Sequence, residues 1–512
     1  MHTKILTLDA GTTGLKATLF DLEGKALAAA VSPYAVHFPR CEWAEQPYET
    51  FLHAACQAGR AAVEAGGAEG IAAIGLSGTM NGCLPVDAMG NALHPNIIHA
   101  DTRAVSQLDT LRAVIGEETY YQRTGNRIDV HYSLPKILWL KENLPDIYRK
   151  TRWFLNTKDA IHAFLTGSAG VTDYSDASLT GALCLEKRAW DEDLLFALDL
   201  DVNKMPRLCV SHAVEGRLTE NAAALLGLTP GIPVMVGAGD GASAAHGAGL
   251  HDTQGAYCNI GSSAWMASLS QAPVLDADRR VFNYLDMDGV HYNVCGTLQN
   301  GASAFDWAVE HLLPGASGAN GVDYSALEAL ARQSPPGSQG VFFLPTLLGE
   351  RTPWWDPNTR GTLVGFSLHH GNADIARAVY EGIAQGLRQC AEVLRENGMR
   401  FESLMLIGGG ASSGLWPSMM ASMLGTSVRV HAHPRSATSL GAAMAAGVGV
   451  GIFEDYAKAS SMAKHSAVYT PDQLSTDAYA THYAVYHSLY ARLREAYRDI
   501  AAYQAACARE DS

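Results

Sequence analysis

Several large protein classes are excluded by what the chain lacks. No G-x-x-x-x-G-K-[ST] loop occurs in its 512 residues, so a P-loop nucleotide fold is ruled out. There is no run of lysine and arginine, and with 37 basic against 52 acidic residues the formal charge is −15. An acidic chain without a basic patch is a poor partner for nucleic acid or an anionic membrane. Cysteine is sparse: nine residues, odd in number, scattered singly from Cys41 to Cys507 with no C-x-x-C pair. That argues against a disulfide framework and fits small core residues in a reducing compartment, the cytoplasm. The apolar run after Lys4 stops at Asp9, too short for a signal peptide. The uncharged stretch 403–428 is broken by three successive glycines and Pro417, which makes a poor membrane span. Residues 440–453, mostly Gly and Ala, read as a buried helix with a glycine-rich exit.

What remains is a chain that is 47% hydrophobic and 17% charged, long enough for two buried cores. Its opening stretch, LTLDAGTTGLKATLFDLEG, gives a short apolar strand (Ile5, Leu6, Leu8) ending at Asp9. Gly11-Thr12-Thr13-Gly14 is then a turn, 15–20 a second strand, Asp21–Lys25 a hairpin turn and 26–31 a third strand. A glycine turn between two strands offers backbone N–H groups and two hydroxyls to an anion, with the Asp9 carboxylate beside it able to position a hydrated Mg²⁺ on phosphates. An ordinary hairpin, with Asp9 as a turn residue and Lys16 as a solvent-facing strand lysine, is the competing reading. The pattern returns about 250 residues later. Strand 255–260 enters Gly261-Ser262-Ser263 and another apolar segment follows, 264–269. Helical segments 48–65 and 374–397 precede apolar strands 71–76 and 404–407. This is an α/β arrangement of two related halves, whose hydroxyl-bearing turns would meet at one cleft.

Three further stretches carry stronger signals. Residues 132–142, YSLPKILWLKE, form the first; GTLVGF at 361–366, followed by DIARAVYE at 374–381, forms the second. Between them lies Gly349-Glu350-Arg351-Thr352-Pro353. In this order and spacing the chain, over residues 4–450, resembles the FGGY family of carbohydrate kinases, closest to its xylulokinase-like branch. The resemblance implies two actin-like (ribonuclease-H-like) domains flanking a catalytic cleft, ATP and Mg²⁺ as cofactors, and a small sugar as acceptor. It implies a sugar-binding half at 1–247, a nucleotide-binding half at 248–452 and a helical extension at 453–512. Gly247, Gly249 and Gly255 would permit a hinge near the boundary. A homodimer is the usual outcome for such relatives.

The resemblance also assigns roles. Asp240, in the G-x-G-D stretch that ends an apolar strand, would be the base that takes the proton of the sugar hydroxyl, close to the metal. Asp9 would contact Mg²⁺, and Gly11, Thr12, Thr13 and Lys16 would contact phosphate. Gly261, Ser262 and Ser263 would do the same from the second half. Gly408, Gly409, Gly410, Ala411 and Ser412 would hold the adenosine, with Gly301 in a further wall. Met80, Asn81, Asp101 and His131 would touch the sugar, although a structural Asp101–Arg103 pair and a satisfied buried His131 compete with that assignment. Three positions depart from the xylulokinase pattern: Asn81 where His is usual, His99 where Trp is usual, and Gly241 where Asn is usual. All three lie where the acceptor is read. A linear five-carbon ketose is the first expectation, with a sugar acid, another polyol, a modified sugar or a degenerate sugar-binding regulator as alternatives. A glycerol kinase fits less well, because those carry Arg-Glu at the Met80-Asn81 position.

Elsewhere the residues read as structural. Tyr479, Tyr483, Tyr486, Tyr490 and Tyr497 recur at helical spacing, an aromatic stripe for packing or subunit contact. His431 and His433, two residues apart without a Cys or carboxylate neighbour, make a poor metal site. Trp354-Trp355-Asp356 either lines the cleft rim or anchors its loop.

Overall fold

The computed structural model describes residues 3–313, 317–318 and 321–510. Two seven-stranded sheets organise it. In the first, the strand order is Val214–Arg217, Pro233–Met235, Ile71–Gly78, Lys4–Ala10, Gly14–Asp21, Ala26–Pro33, with Ala238–Gly239 also pairing Ile71–Gly78. Lys4–Ala10 is central: antiparallel to Gly14–Asp21 and parallel to Ile71–Gly78. It is covered on both faces, which is why Ile5, Leu6 and Leu8 form a nearly unbroken apolar run. The edge strand Ala26–Pro33 instead alternates between more and less exposed residues. Helix Tyr48–Gly66 buries Phe51, Leu52, Ala55, Ala58, Gly59, Ala62 and Val63, one face at 3-and-4 spacing, against this sheet.

The second sheet runs Phe282–Leu285, Tyr292–Leu298, Ala264–Ser270, Ala256–Ile260, Ser403–Ile407, Ser427–His431, His465–Tyr469. Like the first, it opens with an antiparallel group and continues with parallel strands: Ala256–Ile260 pairs Ala264–Ser270 antiparallel and Ser403–Ile407 parallel. The 25-residue helix Asn372–Glu396 covers it. Both halves are therefore α/β on one plan, and the expected strands and helices appear within one or two residues of their anticipated limits, except that the buried helix expected at 440–453 runs Ala437–Gly449. The segment after residue 452 is not purely helical. His465–Tyr469 adds the edge strand of the second sheet, and only then does helix Gln473–Glu510 begin. Tyr479, Tyr483, Tyr486 and Tyr497 of that helix are buried against the chain itself. No helix among the described residues is long and apolar enough to cross a membrane.

Two helices lie between the sheets and set their approach. Asp240–Gly247 crosses Ala437–Gly449 so closely that a Cβ on Gly247 would stand 1.8 Å from the Ala437 carbonyl oxygen, and one on Gly441 1.8 Å from that of Ser243. Gly247 is thus a contact glycine inside a helix, not the hinge position the sequence suggested. Gly249, with φ +89°, is the residue nearby that needs a left-handed backbone.

Candidate active site

Each expected turn is present at a strand end. The Gly11 N–H closes the first turn on the Gly14 carbonyl at 3.0 Å, and Gly261 closes the second on Ser263 at 3.0 Å. Tyr34 Oη donates to the Gly11 carbonyl at 2.5 Å and Gln46 Nε2 to that of Thr12 at 2.7 Å, so the first turn's oxygens point away from any anion. Under the second turn, Gly301 N–H donates to Ser262 O at 2.8 Å and Ala302 N–H to Gly261 O at 2.7 Å. Gly301 therefore buttresses the turn and lines neither cavity described below. The backbone N–H groups of Thr12, Thr13, Ser262 and Ser263 donate to no protein acceptor among the described residues. Both turns are nests with their donors free.

Two cavities adjoin these turns. One, of about 330 Å³, is lined by Gly261, Ser262, Gly409, Gly410 and Ser412 together with Phe305, Tyr324, Tyr380, Trp416 and Arg435. A flat base could stack among these aromatic rings. The three successive glycines have different duties. Gly408 (φ +84°) backs onto Ile260, where a Cβ would lie 2.6 Å from its carbonyl oxygen; Gly409 has open space beside it. Gly408 and Ala411 lie behind the lining.

The other cavity, of about 270 Å³, is lined by Thr12, Met80, Asn81, His131, Asp240 and Ser263 among the expected residues. His99, which the sequence placed where the acceptor is read, and Trp355, one of its cleft-rim candidates, line it as well, and Asp129, Tyr284, Thr297 and Arg351 join them without having been expected. Ser262 and Ser263, adjacent in one turn, thus border different cavities.

Asp240 is the first residue of its helix, and Met80 packs over the preceding Gly239. Burial and then the Asp9 charge push the Asp240 carboxyl up to about 7, against the Gly241 backbone N–H. Burial also raises Asp9, despite a 3.1 Å hydrogen bond from Ser439 Oγ and the charge of Lys16. Lys16, its pKa lowered by burial, reaches across to the other half, donating to Arg435 O at 2.9 Å and Ser436 Oγ at 2.7 Å. No cluster of three or more metal-ligating side chains exists among the described residues, His431 and His433 included. Two carboxylates beside phosphate nests fit a Mg²⁺ held mainly by phosphate and water.

Asn81 takes a left-handed backbone, φ 66°, and its Oδ1 is buried with no partner. Lys136 Nζ, fully buried, ties the Asn81 and His131 carbonyls together at 2.9 and 2.8 Å. Burial lowers its pKa to about 8. His131 is not an isolated buried histidine: its N–H and Nδ1 both engage Asp129 Oδ1. Asp101 stands outside both cavities. Its carboxylate takes Arg103 Nε at 2.9 Å, Arg103 Nη2 at 2.7 Å and Ala44 N–H at 2.6 Å, and it is fully buried. His99, two residues earlier, lines the sugar-sized cavity instead. Trp354 and Trp355 divide the two roles weighed for them. Trp355 lines the cavity and Trp354 stacks on Tyr490 at 4.0 Å, anchoring the loop.

Two α/β halves on one plan, whose hydroxyl-bearing turns border two cavities, are the arrangement expected of a carbohydrate kinase. The models for the N- and C-terminal domains of the FGGY family of carbohydrate kinases match residues 4–247 and 256–450, and the chain belongs to that family. It is 31% identical to a xylulose kinase of Escherichia coli over 85% of this chain and 88% of that one. It is 32% identical to a glycerol kinase of Gloeobacter violaceus over 96% and 97% of the two chains. The crystal structure of a ligand-bound xylulose kinase from Lactobacillus acidophilus superposes with TM-score 0.90 at 26% identity, covering 97% of this chain and 99% of that one.

Proposed function

We propose that the protein transfers the terminal phosphoryl group of ATP to a hydroxyl of a small open-chain sugar, a pentulose such as D-xylulose. The observation that carries this reading is the Gly261–Ser263 turn. It borders the aromatic cavity through Gly261 and Ser262 and the sugar-sized cavity through Ser263. A nucleotide whose base lies among Phe305, Tyr324, Tyr380 and Trp416 would run its phosphates along this turn toward Thr12 and Asp240. The residues 1–247 then serve the sugar and 248–452 the nucleotide.

In this reading Asp240 accepts the proton of the attacking hydroxyl as the new P–O bond forms, a contribution of about 10²–10⁴-fold. Its pKa of about 7 suits that task at neutral pH: it is partly ionised yet basic enough to hold a proton. Thr12, Thr13, Ser262 and Ser263 hold phosphate oxygens through their free N–H groups. Asp9 and Asp240 would hold a hydrated Mg²⁺, which supplies neutralisation of phosphate charge. In this reading xylulose suits the cavity better than glycerol, because Asn81, His131, Asp129 and Arg351 line it with Asp240 and offer more polar partners than three hydroxyls use. The acidic composition and singly scattered cysteines suit a cytoplasmic setting.

The test is ADP release with Mg·ATP against a panel of ketoses, polyols and sugar acids. Slow release alone and fast release with a pentulose are expected. Equal rates with and without every sugar would defeat the reading.

A further inference from the structure

The sugar-sized cavity contains a guanidinium with nothing to bind. Arg351 sits in a loop whose backbone is held at every step. Its N–H donates to Glu350 Oε1 at 2.8 Å, and the same carboxylate takes Gln299 N–H at 2.7 Å. Its carbonyl accepts Trp355 N–H at 2.6 Å, and the next residue, Thr352, exchanges hydrogen bonds with Thr297 at 3.0 and 3.1 Å. The side chain lines the cavity, yet among the described residues it forms no ion pair and donates no hydrogen bond. A fixed backbone carrying an unengaged cation is a prepared receptor, because little ordering remains to be done on binding.

Asp129 shares this part of the cavity. Burial works to raise its carboxyl, but the His131 hydrogen bond and charge and the Arg351 charge outweigh that and hold it well below the usual range. Burial first, then Lys136, His131 and Arg351, push His99 down to about 3, so His99 is neutral here. The charge felt by Asp240 is that of Asp9, while the charge of Arg351 is felt by Asp129, Tyr132 and His99. Arg351 and Asp129 line the same cavity as Asp240 and offer it one strong donor and one ionised acceptor.

We propose that Arg351 and Asp129 read the carbonyl end of an open-chain ketose, Arg351 donating to the carbonyl oxygen and Asp129 accepting from the neighbouring hydroxyl. This rests on the kinase reading above and goes beyond it by assigning the residues that choose a ketose. An α-hydroxy ketone presents an acceptor-only oxygen next to a hydroxyl donor, the complement of Arg351 beside Asp129. An alditol puts a hydroxyl where the carbonyl was and adds a proton for which the guanidinium offers no acceptor. A sugar acid sets its carboxylate against the ionised Asp129.

The experiment uses three acceptors with one carbon skeleton: D-xylulose, xylitol and D-xylonate. ADP release is followed for the intact enzyme, Arg351→Met and Asp129→Asn. The intact enzyme is expected to prefer the ketose by about 10²-fold or more in kcat/KM. In Arg351→Met the ketose-to-alditol ratio should fall to within about threefold of unity, with the loss in KM and not in kcat. Asp129→Asn should raise KM for the ketose and relieve the exclusion of xylonate. A circular-dichroism melt of Arg351→Met that matches the intact protein shows that the variant is folded. A ketose-to-alditol ratio untouched by Arg351→Met, or xylonate as the best acceptor of the intact enzyme, would overturn the proposal. No sugar-stimulated ADP release from the intact enzyme with any acceptor would defeat the kinase reading itself, and this inference with it.

Discussion

Replacing Asp240 by Asn removes one negative charge at nearly constant shape, and two independent consequences follow. The first is kinetic. If the carboxylate accepts the hydroxyl proton, kcat should fall by about 10²–10⁴-fold, a barrier increase of about 3–5 kcal/mol, while KM for sugar moves little. In the intact enzyme kcat/KM should rise with pH through about 7, because the base works only when ionised. The second consequence concerns stability. The folded pKa, about 7, stands above the ordinary 3.8 because of burial and the Asp9 charge. The folded state thus keeps a proton that the unfolded chain releases. This group's contribution is complete below pH 3.8 and is lost as pH rises to about 7. Between pH 5 and pH 8 the intact protein should lose at most about 3 kcal/mol relative to Asp240→Asn, less to the extent that water enters the open cavity. Circular-dichroism melts at the two pH values, beside initial rates of ADP release, read both effects. A variant that keeps most of its rate would refute the base assignment. A melting difference of equal size at both pH values would refute the electrostatics.

Asp9→Asn should raise the Mg²⁺ concentration needed for half-maximal rate and lower kcat, measured by Mg²⁺ titration at fixed ATP, because a neutral amide holds the hydrated ion less well. Gly409→Val, at the one glycine of the triplet with space beside it, should raise KM for ATP several-fold and leave KM for sugar unchanged in steady-state kinetics. Gly441→Ala forces a methyl onto the Ser243 carbonyl, 1.8 Å from where it would stand. It should destabilise the protein by about 1–3 kcal/mol in urea unfolding and lower kcat by shifting the helix that begins at Asp240.

Much of this was legible in the sequence because it rests on local rules. Strand, turn and strand around Gly11–Gly14 and Gly261–Ser263 follow from apolar runs punctuated by glycine, and their free N–H groups follow from the turns. Asp240 was visible for the same reason, a carboxylate placed where an apolar strand ends in glycines. In the sugar cavity Asn81 and His99 were legible and Trp355 was left open, but Asp129 and Arg351 join them only through the fold. Asp101 shows the converse: the sequence left it between a sugar contact and a pair with Arg103, and in the fold Arg103 and the Ala44 N–H occupy its carboxylate. Gly247 resembled a hinge because a glycine's permissiveness and its small size look identical in sequence. The partner that reveals size as its purpose, the 437–441 turn of a helix, lies far away along the chain.

The most direct test is a crystal structure with a non-hydrolysable Mg·ATP analogue and the preferred sugar bound together. One sugar hydroxyl should lie about 3 Å from the Asp240 carboxylate and in line with the terminal phosphorus, with phosphate oxygens on the Thr12–Thr13 and Ser262–Ser263 N–H groups. An Asp240 carboxylate turned away from the sugar, or phosphates held elsewhere, would contradict this arrangement.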